Sequence, residues 1–394
     1  METRTIKLRK SKKVSLRPSH PWIYKSWISA ARSSASPGAL VSVIGPDGKF
    51  VGNGYYNPES QIAVRLLTFS DEKIDHAFFT RRIKESFEKR RHLLSQTNAF
   101  RAVFSESDCL PGLIVDVYSD TAVFSVLTLG MERLKDTLTK SISEALNPKY
   151  IYERSDSNIR ELEGLLPIKR WHGKEGPSVI EIFENEVKFY VDIENGHKTG
   201  FYLDQRKSRY LSRAISPGKK VLDIFCYTGG FSINAAISGA KDVYAVDIKQ
   251  QWLDLSARNA QLNGVSQKIK FIKSDSFTFL ENMVSSGEYA DVVILDPPSF
   301  LKSRESIKSA AKGYEFLNFQ AMKILSQDGI LCTFSCSHHM RQDMFSDILK
   351  SAAKSAKKSF EVLNTCHQAQ DHPIVKGIQE TEYLKGYFLR VRSG

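Results

Sequence analysis

Cysteine is scarce in this chain, and its spacing excludes the architectures that depend on it. The 394 residues contain five cysteines, at positions 109, 226, 332, 336 and 366. A small secreted domain held by disulfides carries a denser set, so we expect a reducing compartment and a cytoplasmic location. Cys332 and Cys336 precede His338 and His339, but the sequence has no second close-spaced pair to complete a structural zinc site. We therefore expect no metal.

Long apolar runs are also missing from the sequence. No stretch reaches the roughly 20 apolar residues that a membrane-spanning helix needs, so we expect no membrane partner. The basic first residues are not followed by the apolar run of about 10 residues that a secretory signal carries. The sequence contains no internal repeat and no low-complexity tract. A chain of 394 residues with this composition is typical of a globular protein of two or three domains.

Positive charge is in excess. Lys and Arg total 56 against 44 Asp and Glu, which gives a net charge of +12 at pH 7 and a pI near 9.3. The excess is concentrated near the start, where Lys10, Lys12 and Lys13 precede the aromatic residues Trp22 and Tyr24. Cations can hold phosphates while aromatic rings stack on bases, which is typical of a nucleic-acid-binding surface. A solvated charged face, with the rings filling a small barrel, explains the same residues equally well.

Hydrophobic patterning divides the chain into three predicted domains. Residues 1–75 contain short apolar runs separated by Gly, Pro and Asn turns, which predicts a β-rich module. Residues 76–195 combine strands with a helix over about 134–145, which predicts a β-rich α+β domain. From 196 to 394 strands alternate with helices, which predicts an α/β domain with a parallel sheet and right-handed crossovers.

The stretch 221–230 is the centre of the predicted α/β domain. Four strand residues, 221–224, lead into a turn that ends in Gly229 and Gly230, and a helical composition follows. Backbone without side chains can approach a ligand at the carboxyl end of a parallel strand. The spacing is not G-x-G-x-x-G, which disfavours a nicotinamide dehydrogenase. The turn suits a methyl-donor nucleoside, although most turns of this kind are plain connections.

Polar residues follow the next strands at the same predicted edge of the sheet. Asp247 comes about 20 residues after the glycine turn, where a carboxylate can accept hydrogen bonds from both ribose hydroxyls. Asp275 can accept one from an exocyclic amine, and either aspartate can equally be a helix N-cap. Asp296-Pro-Pro fixes a carboxylate and the Pro297 carbonyl at the rim, because two prolines stiffen the backbone. Cys336 ends the fifth strand between two serines, where a thiolate can face Asp296.

Taken in order, these motifs resemble one family: the class I S-adenosylmethionine-dependent 23S ribosomal RNA large-subunit cytosine-5 methyltransferases with an N-terminal PUA domain. The resemblance covers nearly the whole chain. It departs from the family at Cys109, where glycine is usual, and at the pair His338 and His339. The motifs that carry it are His20-Pro-Trp22, Glu106-Ser-Asp-x-Leu-Pro-Gly-Leu113, Lys198-Thr-Gly-Phe-Tyr-Leu-Asp-Gln-Arg206, Asp223-Ile-Phe-Cys-Tyr-Thr-Gly-Gly230, Asp296-Pro-Pro-Ser-Phe300, Thr333-Phe-Ser-Cys-Ser337 and Glu380-Thr-Glu-Tyr-Leu-Lys-Gly386.

The resemblance implies a fold, a cofactor and a reaction. The implied fold is α/β: a Rossmann-like class I methyltransferase domain (196–394) with a mostly parallel seven-stranded sheet, preceded by a small β-barrel PUA domain (1–75) and the β-rich α+β middle domain (76–195). S-adenosylmethionine is the implied cofactor, and large-subunit ribosomal RNA or an assembly intermediate is the implied partner. Cys336 is the implied nucleophile, adding to C6 of the cytosine beside Asp296. Related proteins also leave a homodimer open.

The implied site residues form two sets. The residues expected to bind RNA are Lys10, Lys12, Lys13, Trp22 and Pro298. The residues expected to bind the cofactor are Phe201, Asp204, Arg206, Asp223, Phe225, Thr228, Gly229, Gly230, Asp247, Ile248, Asp275, Ser276, Asp296 and Pro297.

Two other functions remain open from the sequence. In an amino-group methyltransferase, Asp-Pro-Pro would hold the exocyclic amine of a base and no cysteine would be needed. In a non-catalytic RNA-binding factor for ribosome assembly, the cofactor fold would be vestigial, although the intact Asp247, Asp275 and Asp296 argue against decay.

Overall fold

The structure of the chain is a computed structural model that describes residues 4–10, 20–29, 35–300 and 307–394. The chain divides into two compact units. The first comprises Met1–Ile182, Val191–Leu203 and Gln370–Thr381, and the second comprises Phe183–Tyr190, Asp204–Ala369 and Glu382–Gly394. The predicted boundaries at 75/76 and 195/196 remain predictions, because this division does not separate the first two predicted domains.

The first unit begins with a sheet whose strands alternate buried and partly exposed residues, as a half-buried strand does. Its order is β1-β3-β4-β5-β2; β1 pairs parallel with β3, and the other pairs are antiparallel. Ile6, Val41, Val43, Val64 and Leu66 are among the residues of its core. The strands are β1 (Arg4–Lys7), β2 (Trp22–Ile23), β3 (Leu40–Ile44), β4 (Phe50–Tyr56) and β5 (Val64–Thr68).

A second sheet of the first unit has the order β10-β9-β8-β7-β6, with β8 and β9 parallel. Helices α1 and α3 cover it, because their apolar faces, which include Phe79, Ile83 and Leu138, belong to the same core as Val115 and Phe124. The elements are α1 (His76–Glu88), β6 (Ala99–Phe104), β7 (Leu113–Tyr118), β8 (Thr121–Val126), α2 (Leu129–Arg133), α3 (Lys135–Leu146), β9 (Tyr150–Ser155) and β10 (Ile168–His172). A two-stranded hairpin of β11 (Val179–Glu184) and β12 (Val187–Asp192) follows.

The second unit holds a sheet of seven strands among its described residues, in the order β15-β14-β13-β16-β17-β19-β18. All neighbours pair parallel except β19, which is antiparallel to β17 and β18. Its elements are α4 (Arg206–Ser212), β13 (Lys220–Ile224), α5 (Gly230–Ile237), β14 (Asp242–Asp247), α6 (Gln250–Leu262), β15 (Ile269–Lys273), α7 (Ser276–Ser285), β16 (Ala290–Leu295), α8 (Ile307–Ile324), β17 (Leu325–Ser335), α9 (Gln342–Ser355), β18 (Lys358–Cys366) and β19 (Lys385–Ser393).

The strand order of this sheet reverses between β13 and β16. The chain runs outward from β13 to β14 and β15, and then returns to place β16 on the other side of β13. The strands at this point are apolar on both faces, as in Val293, Ile294 and Leu295, because helices cover both sides of a parallel sheet. Ligands of such sheets bind at the carboxyl ends of the strands beside the reversal.

No helix in the described ranges is both long enough and apolar enough to cross a membrane.

Cys109 occupies a backbone position that favours glycine. It ends the 3-10 helix Ser105–Asp108 in the left-handed conformation, with φ +56 and ψ +29. A Cβ in this conformation crowds the following carbonyl oxygen, at a cost of about 1–2 kcal/mol. A cysteine at position 109, where the resemblance implies glycine, therefore adds strain to this turn.

We expect Cys109→Gly to stabilise the protein by about 0.5–1 kcal/mol, because relief of the left-handed strain exceeds the added entropy of glycine in the unfolded chain. Differential scanning calorimetry should show a melting temperature higher by about 1–4 °C. Cys109→Ala is the matched control: it removes the thiol and keeps the strain, so it should melt like the original protein. Equal stabilisation by both variants would assign the effect to the thiol.

Candidate functional site

The turn after β13 concentrates unusual backbone conformations. Phe225, Tyr227 and Gly229 have φ values of +68, +49 and +83. Positive φ in residues with a Cβ costs free energy, and it persists where the surroundings impose it, often at ligand sites. Here the Gly229 amide donates to the Cys226 carbonyl at 2.8 Å, and the Cys226 amide donates to the carbonyl of Val246 on β14 at 3.0 Å. The first hydrogen bond closes the turn at the carboxyl end of β13, and the second joins the turn to β14.

Gly229 allows helix α6 to approach this turn. A Cβ at Gly229 would lie 2.2 Å from the hydroxyl oxygen of Ser256 on α6. The Asn259 side chain of the same helix donates to the carbonyl of Thr228 at 3.1 Å. Gly230 follows as the first residue of α5. Glycine is required at 229 both by the left-handed backbone and by this close contact.

Asp247 ends β14 beside the turn. Its Oδ2 accepts a hydrogen bond from the Tyr227 amide at 3.0 Å, and its Oδ1 accepts one from the Lys249 amide at 3.0 Å. A carboxylate has about four lone-pair sites, so each oxygen can accept another hydrogen bond. The side chain is partly exposed, and the next residue, Ile248, is 59% exposed. This arrangement leaves an acceptor and an apolar surface open to a ligand.

Asp275 caps helix α7. Its Oδ1 accepts hydrogen bonds from the amides of Phe277 at 3.1 Å and Thr278 at 3.0 Å, and the residue is exposed. Ser276, the first residue of α7, is buried. The N-cap interpretation therefore describes the bonding seen here, and a contact of Asp275 with a ligand stays a prediction.

The segment 201–206 crosses the division between the two units. Phe201 is a buried residue of the first unit, and its amide donates to the Tyr118 hydroxyl at 3.2 Å. Asp204 belongs to the second unit, where its Oδ2 accepts a hydrogen bond from the Tyr383 hydroxyl at 2.7 Å. Arg206 begins α4 and is buried. Asp204 and Arg206 thus lie in the same unit as the turn after β13.

The segments that follow β16 and β17 contact each other. The Asp296 amide lies 3.5 Å from the carbonyl oxygen of Ile224 at the end of β13. The Cys336 Sγ donates to the carbonyl oxygen of Pro297 at 3.9 Å, and Cys336 is partly exposed. Pro297 is buried and Pro298 is exposed. Cys336 therefore lies within contact distance of the residue that follows Asp296.

A chain of hydroxyl groups joins the Asp-Pro-Pro-Ser segment to β17. Ser299 Oγ and Ser337 Oγ are 2.8 Å apart, Ser337 Oγ and Tyr314 Oη are 3.3 Å apart, and Ser335 Oγ donates to Tyr314 Oη at 3.0 Å. Burial raises the pKa of Tyr314 to about 12, although the two serine hydroxyls oppose the shift; the charges of Cys336 and Asp296 raise it further. Tyr314 therefore remains a neutral phenol at physiological pH.

Lys385 belongs to the motif Glu380-Thr-Glu-Tyr-Leu-Lys-Gly386, but the motif does not indicate its place beside Cys336. It begins β19 opposite Ser335 of β17. Its Nζ donates to the carbonyl oxygens of Ser337 at 2.9 Å and Tyr383 at 2.8 Å. Burial lowers the pKa of Lys385 to about 8. Lys385 and Tyr314 reach the site from elements distant in the chain, so local spacing carries no signal for either residue.

The residues predicted to bind RNA lie in the first unit, apart from Pro298. Lys10 is exposed, and Lys12 and Lys13 lie outside the described residues. The indole N–H of Trp22 donates to Glu106 Oε1 at 3.0 Å. The Trp22 ring contacts the rings of His20 and Tyr24 edge-on, with centroids 5.5 Å and 6.5 Å apart. Trp22 thus has internal partners, and its contact with RNA stays a prediction.

Comparison with known proteins identifies the family. A PUA-like domain family matches residues 6–69, and an S-adenosylmethionine-dependent methyltransferase family matches residues 167–362. The chain is 38% identical over 388 residues to the ribosomal RNA large subunit methyltransferase I of Alteromonas mediterranea, with 98% of each chain covered. This chain belongs to the ribosomal RNA large subunit methyltransferase I family. As a member of that family it is a methyltransferase, and its cofactor is S-adenosylmethionine.

Solved structures confirm the predicted fold class of this ribosomal RNA large subunit methyltransferase I family member. A protein from Streptococcus mutans described as an S-adenosylmethionine-dependent methyltransferase is 21% identical, with a TM-score of 0.83 over 98% of this chain and 99% of that one. A protein described as a methyltransferase and crystallised with S-adenosylhomocysteine (SAH) is 21% identical, with a TM-score of 0.85 and the same coverage. At this identity the likeness establishes the fold alone.

Two buried oxygens at the turn after β13 fit a ligand that brings hydrogen-bond donors. Asp223 Oδ2 accepts from the Ser232 amide at 2.8 Å and from the Ser232 hydroxyl at 2.5 Å. Asp223 Oδ1 and Thr228 Oγ1 are buried and have no hydrogen-bond partner among the described residues. An unsatisfied buried acceptor costs about 1–3 kcal/mol. S-adenosylmethionine carries an ammonium and hydroxyl donors that suit such acceptors, so the residues present fit the family's cofactor.

Burial raises the pKa of Asp223 to about 6, against the opposing hydrogen bonds from Ser232, and Asp247 raises it further. A raised folded-state pKa means that Asp223 contributes stability below its unfolded value near 3.8, which is lost as the pH rises to about 6. Asp223→Asn removes this contribution. Thermal unfolding should therefore show that the protein gains about 2–3 kcal/mol relative to the variant between pH 7 and pH 4.

The control for Asp223 has the opposite sign. Burial alone would raise the pKa of Asp156, but hydrogen bonds from Arg154 lower it below its ordinary value. The protein should therefore lose its advantage over Asp156→Asn as the pH falls. A flat difference between the protein and Asp223→Asn across this range would show that the buried carboxylate is not the source of the pH dependence.

Gly229→Ala should destabilise the protein by about 2–4 kcal/mol, because left-handed strain and the contact with Ser256 add. Gly239→Ala is the matched control: Gly239 has φ +91 and nothing within 4 Å of a Cβ, so its cost should be the strain of about 1–2 kcal/mol alone. Adding Ser256→Gly to Gly229→Ala removes the close contact. The double variant should therefore regain the part of the stability loss that exceeds the loss in Gly239→Ala. Urea unfolding of the four proteins measures it, and equal costs for the two single alanine variants would contradict the packing argument.

Proposed function

We propose that this chain methylates carbon 5 of a cytosine in large-subunit ribosomal RNA, with Cys336 as the nucleophile. The observation that carries the proposal is the Cys336 sulfur, partly exposed and 3.9 Å from the carbonyl oxygen of Pro297 in the Asp296-Pro-Pro segment. A thiol and a carboxylate at neighbouring strand ends are the two groups that this reaction needs. The name of the Alteromonas mediterranea relative, which is aligned over 98% of both chains, supports ribosomal RNA as the substrate.

Carbon 5 of cytosine is too weak a nucleophile to accept a methyl group unaided. When a thiolate bonds to C6, the C5–C6 π electrons move into the ring and leave an enamine whose C5 carries electron density. S-adenosylmethionine supplies an electrophilic methyl group on its sulfonium. After C5 has gained the methyl group, a base takes the C5 proton, and the electrons of that C–H bond re-form the C5–C6 double bond as the Cys336 sulfur leaves.

Asp296 would hold the base during these steps. Its carboxylate can accept a hydrogen bond from the exocyclic amine. Once the thiolate has added to C6 and N3 has taken a proton from water, it can also accept one from N3–H, and N3 returns that proton to water when Cys336 leaves. Two prolines after Asp296 restrict its backbone, and the hydroxyl of Ser299 contacts the hydroxyl of Ser337, the residue that follows Cys336. The distance between carboxylate and sulfur is thereby restrained, which favours reaction geometry.

Residues at the carboxyl ends of β13 and β14 would hold the cofactor. Asp247 would accept the ribose hydroxyls, Ile248 would contact the adenine ring, and the turn that ends in Gly229 would approach the donor closely. Asp275 would accept from the adenine amine. Asp204 and Arg206, which belong to the same unit, would also bind the cofactor.

The first unit would bind the RNA. Its PUA-like domain and the net charge of +12 favour contact with phosphates. The target base must leave its stack, or be presented single-stranded, for C6 to reach the sulfur. A methyl-transfer assay on naked RNA and on an assembling subunit would show which of the two is the substrate. A cytoplasmic location is part of the proposal, and a homodimer is compatible with it.

RNA that contains 5-fluorocytosine tests the reaction. Fluorine cannot leave C5 as a proton does, so the enzyme should remain bonded to the RNA, and the adduct should appear on a denaturing gel when S-adenosylmethionine is present. Cys336→Ala should form no adduct and should lose at least about a thousandfold in methyl transfer. The exposed Cys109→Ala is the matched control and should form the adduct normally.

The other two functions give different results. An amino-group methyltransferase would keep its turnover in Cys336→Ala and would form no adduct. A non-catalytic RNA-binding factor would show no binding of S-adenosylmethionine by calorimetry. Either result would overturn the proposal.

A further inference from the structure

Lys385 carries a buried positive charge beside the proposed nucleophile. It is 4% exposed, and its Nζ donates to the carbonyl oxygens of Ser337 and Tyr383 at 2.9 Å and 2.8 Å. The Lys385 ammonium contacts Ser337, which follows Cys336, and the Lys385 backbone pairs with Ser335, which precedes Cys336, across the β17–β19 ladder. The position of the ammonium is therefore set by the sheet and by two backbone carbonyls.

This ammonium has neutral acceptors and no carboxylate ion pair among the described residues. Burying a cation without a counter-ion costs several kcal/mol. Proteins retain such a charge mainly where it serves a function. Burial lowers the pKa of Lys385 to about 8, and the negative charges of Glu382 and Cys336 oppose that fall. Since about 8 is above neutral pH, Lys385 is mostly charged under physiological conditions.

The surroundings of Cys336 make a nearby cation important. Titratable groups near it in the described part of the chain include Asp296 after β16, Tyr314 on α8, Lys385 on β19 and His338, whose ring contacts Tyr383. A carboxylate such as Asp296 disfavours a second negative charge nearby, and the neutral Tyr314 supplies none of the positive charge that a thiolate needs. A lysine beside a thiol favours the thiolate.

We propose that Lys385 is a positioning residue that keeps Cys336 ionised: its ammonium, anchored by the carbonyls of Ser337 and Tyr383, holds the Cys336 sulfur as a thiolate. The inference rests on the proposed function, in which this sulfur attacks C6. The thiol proton passes to water before the base arrives, and no oxidant or second base is required. Lys385 keeps all its protons and touches no carbon of the substrate.

The test is the pH dependence of Cys336 alkylation by iodoacetamide, followed by mass spectrometry of the Cys336 peptide. The exposed Cys109 is replaced by alanine in all proteins, and Cys226, Cys332 and Cys366 are buried. With Lys385 present, the midpoint of the alkylation curve should fall at least about one pH unit below the ordinary thiol value near 8.5. Lys385→Met should raise the midpoint by one unit or more and slow alkylation at pH 7 about tenfold, whereas Lys385→Arg should stay within about threefold.

Lys220→Met is the matched charge control. Lys220 begins β13 at the opposite end of the parallel strands and pairs with Glu288, so its removal changes the net charge equally and should leave the Cys336 curve unchanged. Coincident curves for Lys385→Met and the parent would overturn the inference, even if the variant melts lower. If Lys385→Met does not fold, the parent curve decides alone: a midpoint near 8.5 overturns the inference, and a lower one supports it.

The result separates this inference from the proposed function. A low midpoint without an adduct on 5-fluorocytosine RNA would support the role of Lys385 and overturn cytosine-5 methylation. An adduct together with an ordinary midpoint would support the reaction and overturn the role of Lys385.

Discussion

The register of four neighbouring strands is the constraint on which the site depends. Ile224 of β13 pairs with Leu295 of β16, Leu295 pairs with Thr333 of β17, and Ser335 pairs with Lys385 of β19. This register puts the turn after β13, the Asp-Pro-Pro segment, Cys336 and Lys385 at one edge of one sheet. A slip of one residue would turn each side chain to the opposite face, and close packing opposes it, because each buried side chain fits its own neighbours in the core. Core packing in the second unit is therefore also what aligns the chemistry.

The same edge holds groups that a structure selected for stability alone would avoid. Asp223 is a buried carboxylate with an oxygen that has no partner among the described residues, and Lys385 is a buried ammonium held by carbonyls. Phe225 and Tyr227 adopt left-handed backbone conformations although they carry side chains. The left-handed residues and the unsatisfied oxygen each oppose folding by about 1–3 kcal/mol, and the buried ammonium opposes it by several kcal/mol. These unfavourable features are concentrated at the strand ends, and the apolar strands of the core compensate for them. Functional sites commonly depend on a stable scaffold in this way.

Sequence patterns could predict the elements of the second unit because local and tertiary preferences agree there. The N-cap predicted as one role of Asp275 is present at the start of α7, where an apolar face follows. The strand predicted over 221–224 is β13, since its residues are apolar without interruption. The turn of Gly229 could be predicted as a close approach, although its neighbour Ser256 could not, because the contact crosses from one helix to another.

The places of Tyr314 and Lys385 in the site could not be predicted from the sequence for a related reason, although Lys385 belongs to one of the motifs that carry the resemblance. A motif is visible when its residues follow one strand end, as Asp296 and Pro297 do. Tyr314 lies on α8 and Lys385 on the antiparallel strand β19, so their places depend on helix packing and on a ladder whose register local residues do not encode. Trp22 is the opposite case. Its basic and aromatic neighbours in the sequence suggest contact with nucleic acid, whereas in the fold its N–H donates a hydrogen bond to Glu106.

The cysteines show how environment, and not residue type, separates a nucleophile from a core residue. Burial raises the pKa of the thiols of Cys226, Cys332 and Cys366, so each is a small apolar side chain at physiological pH. Cys336 differs in being partly exposed just after the end of β17, with Lys385 bonded to the carbonyl of the next residue. Cys332 lies four residues earlier, inside β17, and is buried. The edge of the sheet thus supplies both conditions that a reactive thiolate needs, access and a nearby positive charge, and the interior of the same strand supplies neither.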